Sequence, residues 1–460
     1  MTAGRGIRRN LLFLHCHDLG RFLGTYGVAT VSTPNLDALA ARSAVFDHAF
    51  ATAPQCSPAR ASLFTGTYPQ RNGVLGLTHS PFDWDLADPS SHLASRLKAE
   101  GFRTHLIGVH HESRVLEEDV VAQRLGFDRV ESTGVGGTRA DRSGAVVADR
   151  AIDALTRYAG ESEPFYLQVG FFEPHRAPDP RDSPGVVGFL GDGIDPDSSR
   201  GHTVPGYLRD DDGARAEIAE LQGAVRYLDE HVGRVLDALE KLGLGDETIV
   251  VFTTDHGLAL PRAKCTLYDS GLEVALILHV PGTDAWTGVR VDGLVSHLDV
   301  RPTLLELLGL RPDDDSDGSS LVPVVESAAA AHRHVFAQLT YHDYYSPRRS
   351  ARSDRFKLIV NFDNAPNPMD ASQSWLRRSS PHDLARGGIR TSRLVELYDL
   401  EADPGEEVDV AATPENATVR DELAAAMLAW MRDVGDPLTS QGPRSPHHAA
   451  AVQFLTTAGA

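Results

Sequence analysis

The sequence predicts an α/β protein: an open, mostly parallel sheet with helices on both faces, followed by a smaller antiparallel sheet with a terminal helix. Three observations carry this. Up to residue 310, short apolar runs alternate with segments of helical period. Beyond residue 325, strand-like segments follow one another without helices of comparable length between them. Between the two parts, RPDDDSDGSS (311–320) is acidic and turn-rich and reads as a linker. The expected division is therefore 1–325, 326–435 and a loosely ordered tail over 436–460.

Taken in order, NLLFLHCHD (10–18) is a buried strand, and TPNLDALAARSAVF (33–46) is a helix capped at Thr33 with Pro34 at its first position. Pro58 to Leu63 begins another helix. SSHLASRLKAEGF (90–102) is a helix ending at Gly101, and THLIGV (104–109) is the strand after it. PFYLQVGFF (164–172) is a strand that runs directly into EPHRAP. From Ala214 to Leu242 the residues Ile218, Leu221, Val225, Leu228, Val232, Val235, Leu236 and Leu239 recur at helical spacing, which makes one long amphipathic helix, or two. ETIVVFTTDHG is a β-rich run with a sharp polar end, and LDVRPTLLELLGL (298–310) is the last helix of the larger part. HVFAQLTYHDYY, RFKLIVNF and RLVELYDL supply three strands of the smaller sheet, and VRDELAAAMLAWMRDVG (419–435) supplies the terminal helix.

Composition narrows the function. A chain of 460 residues, 41% of them hydrophobic, buries a large core. Its formal charge of -20 argues against nucleic acid or an anionic membrane as partner. Its three cysteines leave at least one thiol unpaired, which fits a reducing compartment. No stretch approaches the ~20 apolar residues that span a bilayer, and the run LLFL is too short for a secretory leader. The expectation is a soluble cytoplasmic protein.

In an open parallel sheet, ligands bind at the carboxyl ends of the strands. His17 and Asp18 end the first strand, Cys56 precedes a helix, His111 follows THLIGV, His175 follows PFYLQVGFF, and Asp255 with His256 follows TIVVFTT. Singly, each has an ordinary reading, and Asp18 or Asp255 alone is as well explained as a helix cap. Their coincidence on one sheet edge points to a site. Cys16 alternates to the other face of its strand and Cys265 is read as structural, so both are left out.

NLLFLHCHDLG, TPNLDALAARSAVFDHAFATAPQCSPARASLFTG, FFEPHRAP, FTTDHG and ELYDLEADPGE, in this order, resemble the type I sulfatases of the alkaline phosphatase superfamily across nearly the whole chain. The likeness is strongest to the heparan N-sulfatase group. It implies an alkaline-phosphatase-like fold and a formylglycine made from Cys56 by a formylglycine-generating enzyme. The aldehyde hydrate would attack sulfur with one hydroxyl and expel sulfate through the other. The resemblance also implies that Arg60 steadies the hydrate. His17, Asp18, Asp255 and His256, with residue 56, would hold one divalent metal. His17 and His256 stand where many members carry Asp and Asn, so manganese or zinc competes with the family's usual calcium. His175 would serve the leaving group and Lys264 would neutralise the transferring oxygens. Of the family's Lys-x-His pair, Val109 occupies the Lys position and His111 the His position, with His110 as a compensating neighbour. Gln55, His79 and Arg176 are outer substrate contacts.

Two other readings stay open at this stage. One is a phosphodiesterase or phosphonate monoester hydrolase of the same superfamily. The other is a binding protein whose cysteine is never converted. The acidic composition favours a small sulfated sugar or metabolite over a long polyanion. The stretches 141–147, 191–208 and 340–349 are expected to frame the pocket.

Overall fold

The computed structural model describes residues 9–132, 143–178, 187–189, 194–329, 332–342, 344–363, 379–380, 382, 393–440 and 442. The chain opens with β1 (Asn10–Cys16), α1 (Pro34–Ala41), β2 (Ala44–Phe50), α2 (Cys56–Thr65), α3 (Pro69–Asn72) and α4 (Leu93–Ala99). Next come β3 (Arg103–Gly108), α5 (Glu118–Leu125), β4 (Arg129–Ser132), α6 (Gly144–Tyr158), β5 (Phe165–Gly170) and the ribbon β6 (Ala177–Pro178) and β7 (Val187–Gly188). The 30-residue α7 (Asp212–Lys241) leads to β8 (Thr248–Thr254), α8 (Asp269–Leu272), β9 (Glu273–Val274), β10 (Leu276–His279) and β11 (Val289–Ser296). After α9 (Val300–Leu307) and α10 (Val322–Ser327) follow β12 (Val335–Tyr341), β13 (Tyr345–Arg352), β14 (Phe356–Asn361), β15 (Val395–Asp399) and α11 (Ala417–Asp433).

The larger sheet runs β11-β2-β10-β8-β1-β5-β3-β4, with β9 on β2. Strands β8, β1, β5, β3 and β4 are mutually parallel, so their carboxyl ends share one edge. Strand β10 is antiparallel to both its neighbours. Alternation along β1 explains the two cores. Leu12 and Leu14 pack with α1, α6 and α7 on one face, whereas Leu11 and Phe13 pack with α2, α4, α5 and α9 on the other. The small antiparallel sheet β12-β13-β14-β15 is likewise covered twice. Val335, Ala337, Leu339 and Ile359 meet Phe50, Leu267, Leu272 and Leu294, and the opposite face meets α11.

Several sequence expectations are corrected. The helix drawn over 33–46 stops at Ala41, and Ala44 onward is β2, held between β10 and β11. Its N-terminus is not closed by the Thr33 hydroxyl. Asp229 on α7 accepts the Leu36 N–H at 2.8 Å and the Asn35 N–H at 3.1 Å instead. The candidate long helix is single, started by Asp211 accepting the Ala214 N–H at 3.0 Å. The smaller sheet has a fourth strand, β13, hidden in the sequence by Arg348, Arg349 and Arg352, all buried here. The acidic stretch 311–320 is docked, with Asp317 accepting the Tyr68 N–H at 2.9 Å. Asp436, the first residue of the expected tail, is buried and ion-paired with Arg349. Residue 441 and residues 443–460 of that tail lie outside the described residues.

Candidate active site

The edge where β1, β8, β5 and β3 end gathers the polar residues. Asp18 follows β1 in the left-handed region, φ 54°, where a non-glycine residue is held only by its surroundings. Its N–H donates to Asp255 Oδ1 at 2.9 Å, and the next N–H, of Leu19, donates to Thr254 Oγ1 at 3.2 Å. The end of β1 is thus folded onto the end of β8. Cys56 is the first residue of α2, 3% exposed. No side chain caps this ten-residue helix, so its N-terminal partial charge faces the site and favours an anion there.

Ligand-type atoms of Asp18, Cys56, Asp255 and His256 lie within 4.8 Å of one another, and so do those of His17, Asp18, Cys56 and His175. Cys56 Sγ is 3.4 Å from His256 Nε2, which is itself 3.2 Å from Asp18 Oδ1. His256 Nδ1 donates to the Gly257 carbonyl at 3.0 Å, and His175 Nδ1 donates to the Arg176 carbonyl at 2.6 Å. Each neutral ring therefore turns its Nε2 lone pair inward, toward Asp18 oxygens at 3.2 and 3.8 Å. His17 Nδ1 lies 3.1 Å from Asp255 Oδ2, and its buried Nε2 has no hydrogen-bond partner among the described residues.

Burial lowers the pKa of His17, His175 and His256, so the rings are neutral near pH 7. Burial alone would raise Asp255, but His256, Arg60 and His17 around it more than offset this and hold its carboxyl well below the usual range. With the rings neutral, the Arg60 guanidinium is the charge that does so. Burial pushes the Cys56 thiol well up, so an unmodified Cys56 is a thiol and a poor nucleophile at neutral pH. Lone pairs that face carboxylates without a proton between them are compatible with a cation. The donor set of two carboxylates and neutral imidazoles fits a divalent metal.

The remaining expected residues divide into two groups. Lys264 reaches in, its Nζ 3.0 Å from both Asp18 oxygens. His111 stands beside His17, ring centroids 5.4 Å apart, and His79 stacks on His111 at 5.8 Å. Arg60 acts on Cys56 as a nearby charge. Its Nη2 donates to Asp255 Oδ2 at 3.1 Å and to the Cys16 carbonyl at 2.8 Å, bracing the carboxylate from beneath. His110 is buried, with Glu112 the strongest charge acting on it and His92 the next. Arg176 is spent on Glu217 at 2.5 Å and the Ala259 carbonyl at 2.8 Å. Gln55 donates to the Tyr341 carbonyl at 2.6 Å and joins the small sheet to the start of α2. Of the expected framing loops, residues 141–142, 191–193 and 343 lie outside the described residues.

Sequence reasoning missed a supporting layer. His15 Nδ1 meets Arg60 Nη1 at 2.5 Å, and Gln168 lies between His15 and Glu112. The His111 backbone is held at both ends, its N–H by Glu112 at 2.8 Å and its carbonyl by Thr78 at 2.9 Å; Thr78 is tied to Ser57 at 3.2 Å. Strand alternation could have found His15, two residues before His17 on the same face. The others needed the fold.

Residues 9–310 match the sulfatase family. The chain belongs to the sulfatase family. Residues 259–371 also match the family described as N-sulphoglucosamine sulphohydrolase, C-terminal. Human N-sulphoglucosamine sulphohydrolase is 28% identical over 93% of this chain and 91% of its own length. Among solved structures, a protein bound to its substrate D-glucosamine-2-N,6-O-disulfate superposes with TM-score 0.69 at 18% identity, covering 93% of this chain and 98% of that one. The phosphonate monoester hydrolase of Agrobacterium radiobacter superposes with TM-score 0.64 at 22% identity, over 95% of this chain and 99% of the other. This sulfatase thus has the expected alkaline-phosphatase-like architecture, and its relatives include hydrolases of sulfamates and of sulfate esters.

Proposed function

We propose that this sulfatase hydrolyses a sulfate ester or N-sulfate on a small sulfated sugar or metabolite, with formylglycine derived from Cys56 as nucleophile and one divalent metal. The carrying observation is that Cys56 shares a 4.8 Å cluster with Asp18, Asp255 and His256, which come from two distant parts of the chain. Asp18, Asp255, His256 and His17 would hold the metal, with His175 beside them. A bound ion there supplies charge neutralisation and polarises a sulfate oxygen. Residue 56, as an aldehyde hydrate, supplies one hydroxyl for attack and a second through which the aldehyde re-forms. The imidazoles favour manganese or zinc over calcium, which prefers oxygen donors.

The chain's own residues then have distinct tasks. Arg60 keeps Asp255 ionised and fixed. Lys264, held by Asp18, offers its ammonium to the transferring oxygens, where one such donor contributes on the order of a hundredfold or more in rate. The uncapped end of α2 adds positive potential where the anion arrives. His111 and His175 flank the place of the leaving group. His175 donates to it from Nε2 only after taking a second proton, since Nδ1 is committed to Arg176.

The net charge of -20 opposes a long polyanion outside the pocket, which is why the proposed substrate is small. Three cysteines outside any disulfide favour the cytoplasm, and a formylglycine-generating enzyme is the partner that maturation would require. Among the described residues, no helix is long and apolar enough to cross a membrane. A second reading, phosphodiester or phosphonate ester hydrolysis, is favoured by the imidazole-rich metal shell and by Val109.

The test has two parts. Intact mass shows whether Cys56 is converted, a loss of about 18 Da that hydration restores. Rates on p-nitrophenyl sulfate, N-sulfoglucosamine and bis(p-nitrophenyl) phosphate, with metal content measured, then decide the reaction. Faster turnover of the phosphodiester than of either sulfate overturns the sulfatase reading, and an unconverted Cys56 in active protein overturns the nucleophile.

A further inference from the structure

Lys264 sits on a loop with an unusual backbone. Arg262 and Cys265, on either side of it, both have φ 62°, a conformation that non-glycine residues keep only where the surroundings impose it. On one side the Cys265 N–H donates to the Pro54 carbonyl at 2.9 Å, two residues before the nucleophile. On the other side the loop is held by the second half of the chain. Arg262 donates to the Gly405 carbonyl at 2.7 Å and to the Glu406 carbonyl, and its guanidinium lies 4.0 Å over the Tyr268 ring.

The loop ends at Asp269, whose N–H donates to Glu406 Oε2 at 2.5 Å. Lys357 Nζ on β14 meets Glu406 Oε1 at 3.1 Å and the Leu267 carbonyl at 3.1 Å, and it contacts the Asp269 carboxylate. Arg352 on β13 closes the set, its Nε 3.1 Å from Asp269 Oδ2. Lys357 and Glu406 are 0% and 2% exposed. Glu406 is itself in the left-handed region at φ 55° and belongs to the ELYDLEADPGE segment, far from Cys56 in sequence. Two carboxylates and two cations balance here, so each side chain is held in place by the other three and removing one leaves a buried charge exposed to an apolar interior.

We propose that Glu406 and Lys357 are positioning residues for Lys264: the small sheet acts on catalysis by locking the 262–269 loop so that the Lys264 ammonium stays on Asp18 beside residue 56. The loop's two strained residues cannot hold this shape alone. What holds it from the small-sheet side is a carboxylate that accepts a backbone N–H at the loop's end and a lysine that donates to a backbone carbonyl two residues before it. The proposal rests on the role given to Lys264 above.

The experiment is a mutant cycle on the metal-loaded enzyme with residue 56 converted, assayed on p-nitrophenyl sulfate and N-sulfoglucosamine. Lys264→Ala is expected to lower kcat about 100-fold and Glu406→Ala about tenfold, with metal content unchanged. In the Lys264→Ala background, Glu406→Ala should cost less than about twofold, because the group it positions is gone. Lys357→Met should behave like Glu406→Ala. Equal losses from Glu406→Ala in both backgrounds would show a merely structural role and overturn the proposal. No loss from Lys264→Ala, or no turnover of either sulfate by the parent enzyme, overturns the role of Lys264 itself. If Glu406→Ala fails to fold, Arg262→Ala enters the same cycle; it releases the carbonyls of residues 405 and 406 and leaves the four buried charges paired.

Discussion

Two buried clusters in this molecule carry the same formal charges and differ in what surrounds them. At the edge of the large sheet, Asp18 and Asp255 face Arg60 and Lys264. Beneath the small sheet, Asp269 and Glu406 face Arg352 and Lys357. In the second cluster every carboxylate meets a cation or a backbone N–H. The first adds three imidazoles and a thiol, all rich in lone pairs, and turns two of those rings so that Nε2 faces a carboxylate. A site is therefore distinguished from a strut by its surplus of electron-pair donors, not by how much charge is buried.

The sharpest way to break this comparison is at the thiol. Cys56→Ala removes the proposed nucleophile and should lower kcat by more than about a thousandfold with little change in melting temperature. Retained turnover would place the chemistry elsewhere. Asp255→Asn comes next. It leaves Arg60 facing a neutral amide and takes one negative charge from the donor-rich cluster, so bound metal, measured by elemental analysis, should fall along with a rate loss of about 10² to 10³. Arg352→Met probes the strut: stability measured by denaturant unfolding should drop by about 3 kcal/mol while metal content stays at the parent value. Loss of metal in that variant would mean the two clusters are one.

An effect that appears only on acidification belongs to an imidazole outside both clusters. Burial, against the pull of Glu131, lowers His105 to about 4 from 6.5, and its ring lies between Tyr158 and Glu131. Between those values the unfolded chain binds a proton that the folded one does not. Stability should therefore fall as pH drops from 6.5 toward 4, with a slope of up to about 1.4 kcal/mol per pH unit from this residue. His105→Asn should flatten that part of the profile, and an unchanged slope would assign the acid sensitivity to the other buried histidines.

Strand ends were legible in the sequence because apolar runs stop abruptly at His17-Asp18, His175 and Asp255-His256, and it is the coincidence of these ends on one sheet edge that marks the residues. What escaped depended on distant partners. Residues 44–50 continue the apolar content of α1, and only pairing with β10 and β11 makes them a strand. β13 looks like a loop until Arg349 finds Asp436 and Arg352 finds Asp269, each more than 80 residues away. The same reason hid the partner of Arg176, Glu217, which lies on α7. A sequence window holds the donor but not the acceptor that claims it.

The near-complete enclosure of residue 56 bears on when the proposed conversion could take place. A side chain at the start of a helix with 3% of its surface open admits a small substrate group but no second protein's catalytic machinery. On the proposed conversion of Cys56, the maturing enzyme would have to meet the polypeptide while 54–60 is still an extended ribbon, and the timing of synthesis and collapse, more than affinity for the finished enzyme, would decide how many molecules become competent.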